Sequence, residues 1–270
     1  MTESRRFRVE PGSPADLAGR DPAERVGADG KAEGLALMEE LVERLGGLHN
    51  RLFAEATRAV LVVLQGMDTA GKDGTIRNVL TGVNPQGCRI VSFREPTSTE
   101  LAHDYLWRVH RACPARGELG IFNRSHYEDV VAVRVRQLEP EYVWKRRYDH
   151  IRGFERMLSD EGTSVVKVFL HLSRDEQRKR LEERLQNPAK RWKFRAGDLD
   201  DRALWQDFQS AWEDAITETS TKWAPWYVVP ADHNWVRNLA VAQILVDELE
   251  RLDPKLPEPD AAALHDIEVS

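Results

Sequence analysis

Long apolar runs and stretches of helical periodicity alternate along this chain. Residues 59–64 are continuously apolar, as expected of a strand buried on both faces of a parallel sheet. Residues 164–172 form a second near-continuous run, and 89–93, 119–122 and 225–229 are shorter strand candidates. Between the runs, apolar residues recur every three or four positions. Leu37, Leu41, Leu45, Leu48 and Leu52 make one such stripe, weakened by Gly46-Gly47 at about 1 kcal/mol per exposed glycine. Leu101, Tyr105, Val109 and Ala112 make another within 97–113, and Trp144, Tyr148, Ile151, Phe154 and Leu158 a third. Trp205, Phe208 and Trp212 mark a helix over about 200–222. Trp235, Leu239, Ala242, Leu245, Leu249 and Leu252 mark the last, stopped by Pro254. A short helix is expected over 74–80. Strands alternating with helices in this order predict an α/β fold, a parallel five-stranded sheet flanked by helices. Residues 1–33 read as an irregular arm that lies across the domain or reaches a neighbouring subunit. Residues 253–270 have the composition of a disordered tail.

The first run leads into Gly66-Met67-Asp68-Thr69-Ala70-Gly71-Lys72-Asp73-Gly74. Two glycines bracketing four residues, then a lysine, is the spacing of a phosphate-binding loop between a strand and a helix. Glycines let the backbone curl so that its N–H groups face phosphate oxygens, the helix start adds its positive end, and the ammonium reaches the terminal phosphates. Gly66, Ala70, Gly71 and Gly74 are therefore phosphate-binding candidates, with Lys72 as the cation. The Ser or Thr that usually follows the lysine and holds Mg²⁺ is here Asp73. Asp68 is a second carboxylate inside the loop. Mg²⁺ takes oxygen ligands, so either carboxylate can carry the metal role.

Two other strand ends hold polar clusters. Arg94 follows the 89–93 strand and reads equally as a phosphate contact and as a solvated loop arginine. The 119–122 strand ends in Asn123-Arg124-Ser125-His126-Tyr127-Glu128-Asp129. Here Glu128 and Asp129 are candidate metal-facing acids and Arg124 a candidate phosphate clamp. His126 reads as a packed or surface histidine at least as readily as a catalytic one.

After the 164–172 run, Ser173 and Glu176 have the spacing of a capping box. The helix it starts opens a strongly basic stretch. Between Arg174 and Arg195 stand nine basic residues against four acids. Asn187-Pro188 breaks the helix, and Lys190-Arg191-Trp192-Lys193-Phe194 follows. A basic helical hairpin after the fourth strand is where nucleotide kinases carry a lid that closes over phosphates. Intrahelical Glu–Arg pairs account for Glu182 and Glu183 but not for the cations from Lys190 onward. A single-strand nucleic-acid groove, with Trp192 and Phe194 as stacking platforms, is a minor alternative.

The 270 residues suffice for one large α/β domain, and a formal net charge of -6 argues against a general polyanion-binding surface. The two cysteines, Cys88 and Cys113, form no metal pattern. No signal peptide and no apolar run of membrane-spanning length is visible, so a cytoplasmic protein with no membrane or nucleic-acid partner is expected.

Four blocks together resemble a family-2 polyphosphate kinase: residues 66–74, 122–130 (Phe122 to Val130), 187–194 and 224–232 (Ala224 to Asp232). The likeness runs over about residues 35–252. It implies a phosphate-loop kinase of the thymidylate-kinase-like branch over 34–252, with a lid at about 174–198. The implied activity is phosphoryl transfer between inorganic polyphosphate and purine nucleotides: AMP, ADP and ATP, extending to GMP and GDP. By the same resemblance Asp68, Lys72, Arg124, Glu128 and Asp129 are the catalytic set. Mg²⁺, with Mn²⁺ as a substitute, would be held by Asp68 with help from Asp129. Asp73 and Asn123 join the nucleotide-binding set, and Arg178, Lys190, Arg191 and Lys193 would line a polyphosphate channel. Asn123 stands where many members have Asp. The Asn-Arg-Ser-His-Tyr-Glu-Asp form resembles the subgroup that accepts both nucleoside mono- and diphosphates, with negative charge supplied by Glu128 and Asp129. The family resemblance also implies a homo-oligomer, a dimer or a tetramer. An ATP-dependent nucleotide kinase of the same fold and a non-catalytic phosphate sensor are the competing expectations.

Overall fold

The computed structural model of the chain describes residues 3–194 and 197–258. A 3-10 turn (Glu3–Phe7) leads to β1 (Arg8–Val9) and, after a second turn, to α1 (Lys31–Glu55). Then follow β2 (Ala59–Gly66), α2 (Lys72–Val79), β3 (Cys88–Ser92), α3 (Ser98–Leu101), α4 (Trp107–Ala112), β4 (Leu119–Asn123), α5 (Glu128–Val135) and α6 (Glu141–Asp160). The chain continues through β5 (Thr163–His171), α7 (Arg174–Gln186), α8 (Gly197–Ala203), α9 (Trp205–Thr219), β6 (Trp226–Pro230) and α10 (Asn234–Leu252).

The sheet has six strands, in the order β1-β6-β5-β2-β4-β3, where the sequence predicts five. The sixth is β1, which pairs antiparallel with β6 through Arg8 opposite Tyr227 and Val9 opposite Trp226, so the sheet is mixed. Two residues carry no period of their own. The strand exists only because part of the predicted irregular arm is laid along the edge of β6.

Residues along the central strands alternate between two cores. Val60, Val62 and Leu64 of β2 pack with Val166, Val168 and Leu170 of β5 against α1 and α10. Leu61 and Val63 face the other way, toward Phe169, α6 and α9. Each such side chain, fully buried, contributes about 1.5–3 kcal/mol. Because β2 and β5 are buried on both sides, β2 is apolar throughout 59–64 and β5 is apolar over 165–170 but for Lys167. α1 runs unbroken through Gly46, where a β-carbon would stand 2.5 Å from the carbonyl of Gly82. That glycine allows a close approach at the cost of helix propensity.

Three helical expectations need correction. The helix expected over about 200–222 is split at Leu204 between α8 and α9 and ends at Thr219. The single helix over 97–113 is two short ones, because Asp104 interrupts it. Its side chain accepts from Leu106 N at 3.0 Å and its carbonyl from Trp107 N at 3.1 Å, a local competition typical of Asp. The capping box at Ser173 is half formed. Ser173 Oγ accepts from Glu176 N at 3.1 Å, but the Glu176 carboxylate turns to Arg180. Ser173 N donates instead to Asp232 Oδ1 at 2.8 Å. Among the described residues, no helix is long and apolar enough to cross a membrane. Of the predicted tail, residues 259–270 lie outside the described residues.

Candidate functional site

The C-terminal ends of β2, β4, β5 and β6 lie side by side, since β2 is parallel to both β4 and β5, and β5 to β6. Turns leaving these ends must therefore meet above the sheet. The turn after β2 holds residues 67–71 and enters α2 at Lys72, whose N-terminal end adds a partial positive charge. Gly71 sits at φ 102°, a left-handed backbone that suits glycine.

Side-chain donors hold the carbonyls of this loop. Lys72 Nζ donates to Gly66 O at 2.6 Å and Met67 O at 3.3 Å. Gln177 Nε2 donates to Asp68 O at 3.3 Å. Arg180 Nη1 reaches Thr69 O at 3.0 Å and Ala70 O at 3.4 Å, and Arg237 Nη1 reaches Ala70 O at 3.2 Å. A peptide N–H points opposite to its carbonyl. Carbonyls 68–70 are thus drawn toward α7 and α10, the following amides point away from those helices, and Ala70 N closes the turn on Met67 O at 3.1 Å. The loop is a compact turn whose carbonyls are held by side chains, with Lys72 Nζ bonded to the carbonyls at its start.

Lys72 is buried, and burial, reinforced by Arg124, lowers its pKa to about 8 against the opposing pull of Asp68, Glu128 and Asp73. Arg237 is also buried, and burial together with Arg180 brings it down to about 10. Gly71 and Gly74 both back onto its guanidinium.

The turn after β4 meets the loop directly. Arg124 Nη2 donates to Asp68 Oδ1 at 2.6 Å, and Arg124 Nη1 lies 3.6 Å from Glu128 Oε2. Glu128 first, then Asp68 and the α8 carboxylates Asp201 and Asp198, raise the Arg124 pKa further against burial. Asn123 Nδ2 donates to Asp73 Oδ1 at 2.9 Å. Gln65, with its amide turned to satisfy both ends, bridges Ser125 and Glu128 at 3.0 Å each. Asp129 stands apart from this group. Arg108 Nη2 donates to its Oδ2 at 3.3 Å while Arg108 Nη1 holds Arg94 O at 2.9 Å. Burial raises the Asp129 pKa in spite of Arg108. Arg94 is itself exposed, and its carbonyl is the part engaged here. His126 is fully buried against Glu155, which makes it a packed histidine.

The structure thus brings together Gly66, Asp68, Ala70, Gly71, Lys72, Asp73, Asn123, Arg124 and Glu128. The described cations of the basic stretch from Arg178 onward meet mostly groups of their own segment. Arg178 faces solvent beside Glu182, 3.9 Å away. Lys190 pairs with Glu183 at 2.5 Å, and Arg191 Nε donates to Leu185 O at 3.0 Å. The Lys193 side chain, and Arg195 entirely, lie outside the described residues. The α7 residues that touch the loop are Gln177 and Arg180. Arg180 also donates to Ala231 O and Asp232 O at 2.8 Å each, tying α7 to the end of β6. Composition and spacing do not mark Gln177 or Arg237, and Arg180 is one cation among the nine of the basic stretch. Helical phase marks two of them: Gln177 is one turn before buried Leu181, and Arg237 shares the buried stripe of Val241 and Ile244, whereas Arg180 lies off the Leu181 face and is placed by its tertiary partners.

Among the described residues, no three His, Cys, Asp or Glu side chains cluster tightly enough to form a metal cage. Mg²⁺ in phosphoryl-transfer sites usually takes one or two carboxylates and completes its shell with water and phosphate oxygens. Asp68, a partly exposed carboxylate in the loop, fits that role. Asp129 would have to leave Arg108 to join it.

Comparison with known proteins gives consistent matches. The family model described as Polyphosphate kinase 2 (PPK2) matches residues 29–257. An AMP/ADP-polyphosphate phosphotransferase of Meiothermus ruber is 56% identical over 260 residues, covering 96% of this chain and 97% of its own length. An ADP-polyphosphate phosphotransferase of Rhodopseudomonas palustris is 44% identical, covering 96% of this chain and 94% of its own. The crystal structure of a polyphosphate kinase 2 from Arthrobacter aurescens superposes with a TM-score of 0.93 at 42% identity, covering 98% of this chain and 95% of that one.

Proposed function

The chain belongs to the polyphosphate kinase 2 family, and on that premise we propose that it transfers a phosphoryl group from inorganic polyphosphate to AMP or ADP, reversibly. At finer grain we read the fold as a phosphate-loop kinase of the thymidylate-kinase-like branch over residues 34–252, with the lid at about 174–198. The observation that carries the assignment of the site is the 2.6 Å contact between Arg124 and Asp68. It joins the loop after β2 to the turn after β4, two stretches more than fifty residues apart in sequence.

The loop amides and Lys72 grip the terminal phosphate of the acceptor. A phosphate oxygen is a stronger acceptor for the ammonium than the carbonyls of Gly66 and Met67. Arg124 lies beside Lys72 and places a second positive charge where the transferred group passes, while Glu128 and Asp68 hold the guanidinium in place. Lys190, Arg191 and Lys193 on the lid guide the polyphosphate chain, a flexible polyanion that needs cations rather than a base pocket. Mg²⁺, or Mn²⁺ in its stead, would be held by Asp68, with Asp129 as a second ligand, and when bound supplies charge neutralisation between the phosphates. Catalysis by the protein is then mostly positioning and electrostatics.

A donor and acceptor panel tests this reading. AMP and ADP are each incubated with polyphosphate or with ATP, and products are separated by nucleotide chromatography. Formation of ATP from ADP and polyphosphate, with no nucleotide donor, is the expected result. Transfer from ATP alone would make the chain an ordinary nucleotide kinase, and binding without turnover would make it a sensor.

A further inference from the structure

Directly beneath the turn that carries Arg124, Glu128 and Asp129 lies a charged cluster that the transfer chemistry does not use. Lys167 occupies a core-facing position of β5 between Val165 and Phe169, and it is fully buried. Its three ammonium protons find three acceptors: Glu155 Oε2 at 2.6 Å, Thr219 O at 2.7 Å and Tyr127 Oη at 3.0 Å. Tyr127 Oη lies 2.9 Å from both Glu155 Oε1 and Thr219 Oγ1. Glu155 Oε1 is also 3.4 Å from His126 Nε2, and Trp226 Nε1 donates to Thr219 Oγ1 at 2.9 Å. Burial works against both charges: it lowers the Lys167 pKa in spite of Glu155, while Lys167 and His126 hold the Glu155 carboxyl below its ordinary range against burial.

Stability alone is a weak reason to bury such a pair, since well-packed apolar residues often serve as well or better. Its location offers another reason. His126 and Tyr127 are consecutive residues of the turn between β4 and α5. On their N-terminal side Arg124 holds a left-handed φ of 62°, a backbone that a non-glycine residue keeps only where its surroundings over-determine it. On their C-terminal side α5 begins at Glu128, with Glu128 N bonded to Ser125 O and Asp129 N to His126 O. Arg124 N is tied to Leu64 O at 3.1 Å upstream, and the buried cluster is the matching tie downstream. Lys167 lies three residues before Leu170, the β5 partner of Gly66 where the phosphate loop begins, so the cluster is referenced to the strand that also supports the loop.

We propose that Lys167 and Glu155 are positioning residues for phosphoryl transfer: by clamping His126 and Tyr127 from inside the core, they hold Arg124 and Glu128 against Asp68. This rests on the reading that the loop and the turn form the transfer site.

Two variants test it. Lys167→Met with Glu155→Leu removes both charges together and leaves no unpaired ion. Tyr127→Phe deletes one hydroxyl. The double variant is expected to fold with a Tm close to that of the parent and to lose about tenfold to a hundredfold in kcat, since small misplacements of catalytic groups cost that much. KM for ADP and for polyphosphate should move less than about threefold. Tyr127→Phe should lose kcat in the same direction, by less. If the double variant does not fold, Tyr127→Phe decides on the same criteria. Wild-type kcat in a folded variant, or a loss confined to KM, overturns the proposal. Amide hydrogen exchange of residues 123–129 in the same proteins gives a readout independent of turnover. The proposal requires exchange in this turn to accelerate more than elsewhere, and unchanged exchange contradicts it. Failure of the parent protein to transfer phosphate would count against the functional reading, while the exchange data still decide the positioning role.

Discussion

The guanidinium of Arg237 fills the space that a side chain at position 71 would need. An ideal β-carbon on Gly71 would lie 2.0 Å from Arg237 Nη1 and 2.6 Å from its Cζ. Arg237 cannot yield cheaply, because it is buried and donates to Ala70 O, Asn234 Oδ1 and Asn238 Oδ1. Gly71→Ala therefore combines a steric collision with a left-handed backbone that costs an L-residue about 1–2 kcal/mol. The expected outcome is a clearly lower Tm and a loss of transfer. A variant that matched the parent in both thermal unfolding and turnover would show that the loop is not held from this side.

A lysine buried in the loop predicts activity that declines at alkaline pH. The ammonium is the phosphate-gripping form, and burial brings its pKa down to about 8 in the free protein. As pH rises through that value the cation is lost. The profile of kcat/KM, which reports the free enzyme, should thus fall above about pH 8. The profile of kcat should hold to higher pH, because bound phosphate raises the lysine pKa. A kcat/KM that stayed level to pH 9.5 would mean that Lys72 keeps its proton there.

Arg178 and Arg180 are two positions apart on α7 and should behave differently. Arg180→Ala removes charged hydrogen bonds to four backbone carbonyls, each worth about 1.5–3 kcal/mol when the partner is buried. Thermal unfolding should drop and turnover with both substrates should fall together. Arg178→Ala, at an exposed side chain, should leave Tm unchanged. Replacing Lys190, Arg191 and Lys193 together should weaken polyphosphate use more than nucleotide binding. Equal losses would assign those cations to the nucleotide.

Chelation tests the carboxylates. EDTA in excess should abolish transfer, and added Mg²⁺ or Mn²⁺ should restore it. Asp68→Asn should raise the metal concentration needed for half-maximal activity. Transfer that persists in EDTA would assign Asp68 to holding Arg124 alone.

The elements that sequence revealed are those whose physics is local. β2 and β5 are buried on both faces, so their apolar runs are legible without any partner. The loop from Gly66 to Lys72 shows itself by spacing alone. β1 is two residues long and is made by its pairing with Tyr227 and Trp226, so nothing local announces it. The same holds for the site. Asp68, Lys72 and Arg124 lie in recognisable stretches, whereas Arg237 enters from the last helix and its contact with the loop is purely tertiary. Among the basic residues of α7, charge gave the helix but not its phase. Phase relative to Leu181 places Gln177 inward but leaves Arg178 and Arg180 on opposite borders of that face, and only the carbonyls of the loop and of the β6 end decide that Arg180 turns in. Lys167 was hidden for the opposite reason, since one lysine inside a run of nine strand residues does not disturb the pattern that identifies the strand.

The most direct measurement is transfer from polyphosphate to ADP by the parent protein and by Lys72→Ala, followed as ATP formed in a single turnover, with thermal unfolding recorded for both. The parent should make ATP, and the variant should unfold at nearly the same temperature and lose about a hundredfold or more of the rate, as expected when a transition-state cation is removed. A well-folded Lys72→Ala protein that made ATP at the parental rate would contradict the assignment of the Gly66–Lys72 loop as the place where the phosphoryl group is moved.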